Sequence, residues 1–242
     1  MSANARSYGL PDFKGLLLLY LPVFILLFLV VVGCFTAHVA LSSLTRDMAA
    51  VAHVHPLVGV VSNVGILLWC ATAVICLFSA SLLRQLGLLA EARFLMWAGL
   101  MTTVLLVDDL FMIHEYIAPV HFHVGEKVVL ASYACASGAY LLSHRRLILA
   151  ANYQLLAAAM VLFTASMAVD FSDVGGWWRL SEDGFKILGI VSWLGYHAGR
   201  ARHWLVHAPV QNRTIATTPA AEILKRKAIE PSARASQAHL RL

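Results

Sequence analysis

Polar residues are sparse along this chain, and long apolar runs are separated by short polar breaks. Six runs stand out, at about 15–37, 57–82, 94–116, 126–143, 150–170 and 183–205. Several reach the ~20 residues that carry a helix across a hydrocarbon layer. None alternates with period two, which argues for helices over barrel strands, the two structures that satisfy the backbone in lipid. The fourth run is short and rich in small residues (Ala131, Ser132, Ala134, Ala136, Ser137, Gly138, Ala139). Such a surface suits close packing of one helix on another. The pattern predicts an all-α polytopic membrane protein, a six-transmembrane-helix bundle over 1–205 followed by a basic, flexible cytoplasmic tail over 206–242.

Composition agrees with that class. Of 242 residues, 60% are hydrophobic and 13% charged, against roughly 25% charged in soluble domains. Mean hydropathy is +0.75. The first run continues past twenty residues with no small-residue cleavage site, which predicts a retained helix and not a removed signal peptide. The four cysteines, Cys34, Cys70, Cys76 and Cys135, fall in apolar runs without a CxxC pair. They read as small buried hydrophobes. No nucleotide-binding glycine pattern and no nucleic-acid motif is present, so membrane lipids are the expected partners.

The distribution of charge adds an orientation. Arg6, Lys14, Arg84, Arg93, Arg145, Arg146 and the chain from Arg200 onward fall on one side of the predicted bundle. The other side has only Arg46, Lys127, Arg179 and Lys186. The positive-inside rule then makes both termini cytoplasmic, in a plasma membrane that we expect to be a bacterial inner membrane. Nine of the thirteen acids and six of the eleven histidines gather on the opposite, outer side.

Acid at membrane depth is what that rule does not explain. Val107-Asp108-Asp109-Leu110-Phe111-Met112-Ile113-His114-Glu115 sets two carboxylates inside an apolar run. Ionisable groups are costly there and usually face a protein interior or a cavity. At ~1.5 Å rise per residue, Asp108 sits roughly 9 Å deeper than His114. Lys186 falls at a similar depth in the last run, so it is expected to pair with Asp108 or Asp109 rather than stand alone. Seven residues apart, Asp108 and Glu115 share a face of the helix, Asp109 lies about 100° around, and His114 points away from Asp108. A compact site therefore has to recruit other helices. Ser62, Asn63, Glu126, Asp170, Asp173, Glu182 and Asp183 lie at similar level.

Histidine nitrogen and carboxylate oxygen are ordinary ligands for a divalent metal such as zinc. The ligand candidates are His114, Glu115, Asp170 and Asp173, with His121 and His123 as loop ligands. A metal with an open position lowers the pKa of its water, and a carboxylate takes the proton. Asp108, Asp109, Glu115 and Lys186 are the catalytic candidates. The expected function is thus a metal-dependent hydrolase or related enzyme acting on a lipid-type substrate from the outer leaflet. Two alternatives share the same residues: an ion- or proton-coupled transport component, and a membrane sensor or scaffold subunit. In a purely structural reading, Asp108 and Lys186 form a buried pair that fixes helix register.

Overall fold

The structure is a computed structural model that describes residues 13–37, 39–171 and 177–208. All regular structure among the described residues is helical. The chain divides into two compact units, residues 1–60 and 61–242. In the first, α1 (Phe13–Ala37) is followed by two single-turn helices, α2 (Leu41–Thr45) and α3 (Met48–Ala52). A Cβ at Gly33 would meet Leu44, which shows how closely α2 folds back on α1.

The second unit contains α4 (Val60–Gln85), α5 (Leu89–Phe111), a π turn (Ile113–Ile117), α6 (Ala118–Phe122), α7 (Glu126–Ser143), α8 (Arg145–Leu149), α9 (Gln154–Asp170) and α10 (Trp177–Val206). Its core is made of side chains from α4, α5, α7, α8, α9 and α10, with Leu83, Phe94, Leu95, Ile190 and Trp193 fully buried. Helices α4 and α5 form a hairpin closed by Gly87, whose φ of +80° is open to glycine at no steric cost. The two helices approach until a Cβ on Gly99 would stand 2.7 Å from the Leu77 side chain. Helices α9 and α10 pack together in the same manner: a Cβ on Gly189 would lie 2.7 Å from the Phe163 ring. Small residues at such contacts let apolar helices associate through dispersion at close range.

The six-span architecture expected from the apolar runs does not hold. Among the described residues only α4 and α5 are both long and apolar enough to cross a membrane. Tyr20–Thr36 and Gln154–Asp170 are apolar but shorter. Helix α7 opens on Glu126 and Lys127 and continues through small and hydroxyl residues. Helix α10 carries Arg179, Glu182, Asp183 and Lys186 near its start and Arg200 and Arg202 near its end. An apolar run in the sequence records burial of any kind, and in α7, α9 and α10 part of it is burial against other helices. The all-α class stands. Residues 209–242, most of the expected basic tail, lie outside the described residues.

Candidate functional site: a charged pocket at the end of α5

The run that begins at residue 94 was expected to continue as helix to 116. Instead α5 stops at Phe111, and Met112 takes a left-handed conformation (φ 52°, ψ 46°) whose N–H bonds the Asp108 carbonyl. A positive φ is unusual for a residue with a side chain and has to be held by its surroundings. The π turn follows directly, with the N–H groups of Tyr116 and Ile117 both donating to the Met112 carbonyl. Short π segments often sit at functional sites because they re-aim side chains. Here the break turns His114 back onto Asp108, which a straight helix would have kept apart.

Asp108 is buried, 3% exposed, and three donors converge on its carboxylate. The His114 main-chain N–H reaches Oδ1 at 2.9 Å, the Tyr133 hydroxyl donates to the same oxygen at 3.0 Å, and His114 Nδ1 bonds Oδ2. That arrangement fixes the tautomer and plane of the imidazole and leaves Nε2 facing Glu115 at 3.5 Å. Burial pulls the His114 pKa down, but the hydrogen bond to Asp108 and the charges of Asp108 and Glu115 outweigh it. The net shift is upward from 6.5.

A second network lies one residue along. Lys186 Nζ donates to Asp109 Oδ1 at 2.7 Å, and the indole N–H of Trp69 donates to Oδ2 at 3.0 Å. The partner of Lys186 is therefore Asp109 and not Asp108. The Trp69 ring stacks on Phe163 with centroids 5.6 Å apart.

Both networks open on one cavity of about 400 Å³. Glu115, Glu126, Asp170 and Glu182 line it beside the two networks, together with Leu105, Leu130, Met160, Phe163 and Met167. Helices α4, α5, α7, α9 and α10 thus deliver ionisable or aromatic groups to one place, as a shared site beneath one end of the helices requires. Glu182 has its pKa raised, chiefly by burial and then by the neighbouring carboxylates Asp170 and Asp183. The hydroxyls on the wall are engaged elsewhere: Ser137 to Met101 Sδ, Thr164 to the Met160 carbonyl and Ser166 to the Glu182 carbonyl.

Of the residues picked from sequence, Asp108, Asp109, His114, Glu115, Asp170 and Lys186 line this cavity. Asp173 lies outside the described residues. Ser62, Asn63, His121 and His123 do not reach it. The divalent-metal site expected at His114, Glu115, Asp170 and Asp173 was tested on the donor set. Among the described residues no three His, Cys, Asp or Glu side chains are grouped to hold a metal ion. One imidazole nitrogen of His114 is already committed to Asp108.

Sequence reasoning missed Tyr133 and Trp69. Tyr133 follows Glu126 by seven residues and so shares its face of α7, a spacing visible in the sequence. Nothing in the sequence singles out Trp69 from the other tryptophans. Residues 19–199 match the family described as Domain of unknown function (DUF8692). The chain belongs to that family. No curated protein and no solved structure matches it.

Proposed function

We propose that the protein is a membrane-embedded enzyme that carries out general acid–base chemistry, hydrolysis or a related transfer, on a lipid-type substrate. The observation that carries this reading is the Asp108–His114 pair set at the wall of a partly apolar cavity. A carboxylate holding Nδ1 orients imidazole so that Nε2 can take a proton from water or a substrate hydroxyl. With Ser137, Thr164 and Ser166 bonded elsewhere, a water molecule at Nε2 is the attacking group. His114 removes its proton, the water oxygen bonds the electrophilic centre, and the proton passes to the leaving oxygen as that bond breaks. Lys186, held by Asp109, supplies positive charge near the oxygen on which negative charge builds. The apolar wall of Leu105, Met160 and Phe163 accommodates an acyl or isoprenoid chain.

In this reading α4 and α5 cross the membrane as a hairpin. Arg84 and Arg93 flank its turn, so the positive-inside rule puts the turn in the cytoplasm and the cavity at the non-cytoplasmic face. The reading retains the lipid-type substrate of the sequence analysis and assigns no step to a metal.

The test is turnover of a polar-lipid mixture by the full chain in vesicles, followed by mass spectrometry. Consumption of one lipid class that His114→Ala and Asp108→Asn abolish supports the proposal; no consumption, or consumption that survives both variants, overturns it. One observation favours proton-coupled transport as a second reading: the half-buried Asp109–Lys186 pair, since such pairs serve as proton relays in membranes. Proton uptake into liposomes that Asp109→Asn stops and His114→Ala spares would favour it.

A further inference from the structure

The cavity also carries information about which amphiphile enters it. Its two bases are already committed: Lys186 to Asp109 and His114 to Asp108. After those pairings the cavity lining still holds Glu115, Glu126, Asp170 and Glu182. None of these four carboxylates is in an ion pair with a Lys or Arg among the described residues, and Glu115 alone faces a histidine. Glu126, Asp170 and Glu182 come from the start of α7, the end of α9 and the first turns of α10, so the fold gathers them at one end of the cavity. Each is half-buried, which strengthens its field relative to a solvated carboxylate.

The rest of the lining is of another kind. Trp69, Leu105, Leu130, Met160, Phe163 and Met167 give the same cavity an apolar and aromatic surface. The Trp69 ring, which bonds Asp109 through its indole N–H, stacks on Phe163. A simple cation would leave the apolar wall unused. A neutral or anionic lipid would leave the carboxylates uncompensated or repelled.

We propose that the site takes an amphiphile with a cationic, amine- or ammonium-type headgroup, which rests against Glu126, Asp170 and Glu182 while its chain lies along Leu105, Met160 and Phe163. Ammonium groups are recognised by carboxylate fields together with aromatic faces, and the cavity supplies both. This inference rests on the catalytic reading only for the position of the reacting bond near His114; the binding preference stands on the cavity alone.

The experiment measures retention of three labelled probes by vesicles of zwitterionic lipid bearing the full chain, with protein-free vesicles subtracted. The probes are hexadecyltrimethylammonium, hexadecyl sulfate and hexadecanol, which share a chain and differ in charge. The expected result is retention of the ammonium probe about tenfold above the sulfate, a preference worth ~1.4 kcal/mol. The double substitution Glu126→Gln with Asp170→Asn should lower ammonium retention about tenfold and leave hexadecanol unchanged, since only the charge term is removed. Equal retention of ammonium and sulfate, or a double variant that still discriminates, overturns the proposal. His114→Ala should abolish turnover and spare ammonium retention. Ammonium retention by the parent protein without turnover of any lipid supports the headgroup assignment and sinks only the catalytic one. Turnover confined to neutral or anionic lipids sinks the headgroup assignment alone.

Discussion

Two regions of the second unit bury histidine, tyrosine and tryptophan together, and they differ in what is left over. Around His197 every polar group of the ring is answered. Its Nδ1 faces the Trp193 carbonyl at 2.9 Å, Nε2 accepts from the Tyr140 hydroxyl at 3.0 Å, and the Trp193 indole donates to Thr102 at 3.0 Å. Phe94 stacks on the imidazole with centroids 5.6 Å apart, and His197 is wholly buried. This is a closed network of neutral groups, and fully satisfied networks of that kind specify packing. Around His114 one nitrogen is fixed and the other is free to act, the partners are charged, and the assembly borders a 400 Å³ cavity. A buried histidine by itself therefore says little. A histidine with one committed and one open nitrogen, beside space for a ligand, is the form that can do chemistry.

The sharpest way to break the comparison is to remove one partner of the histidine from each network. Asp108→Asn keeps the shape but cannot hold His114 in the same tautomer, so turnover should fall by about 10³–10⁴-fold. In the same assay, Tyr140→Phe at the closed network should leave turnover within about twofold of the parent protein. Comparable losses in the two variants would mean that the contrast between the regions is false.

A smaller effect is expected on stability. Lys186→Met leaves the half-buried Asp109 with only the Trp69 indole for a partner, and should cost about 1–3 kcal/mol. Lys186→Met with Asp109→Leu should recover most of that loss, which denaturation in mild detergent would read as a coupling energy. At the closed site His197→Phe strands the Tyr140 hydroxyl and should cost about 1–3 kcal/mol without changing turnover.

The smallest effect is one of pH. Folding raises the His114 pKa above its ordinary 6.5. Protonated His114 therefore contributes stability that is complete below about pH 6.5 and fades as pH climbs through the raised value. Turnover should move oppositely, because the base must be neutral, so its acid limb lies above 6.5. Histidine-selective NMR in His114→Gln and parent protein would identify the titrating ring. An acid limb below 6.5 would contradict the assignment.

How much of this was written in the sequence differs by residue. Asp108, Asp109 and Lys186 could be singled out because charge in an apolar run demands compensation wherever the chain folds. Asp170 could be placed at their level by counting helical rise. Tyr133 was missed because a tyrosine in a run of small residues is ordinary, and only proximity to Asp108 gives it a role. The geometry within the motif was read wrongly. A helix extended to 116 sends His114 away from Asp108, and the left-handed Met112 reverses that. No local signal marks Met112, since it is neither glycine nor asparagine, the residues that take positive φ readily.

The sequence by itself determined the helical class and the need for buried charges to meet. Those follow from hydrocarbon-like composition and from the cost of isolated charge, neither of which depends on topology. Tertiary structure alone decided which charges meet. Lys186 is bound to Asp109 and not to its neighbour, and His114 is folded back by a break in α5. It also decided where each helix starts and stops, and so which apolar runs are candidates to cross a membrane. Hydropathy along a sequence takes no account of helix ends; among the described residues only α4 and α5 combine the length with the apolar composition, and α9, at 17 residues, falls short.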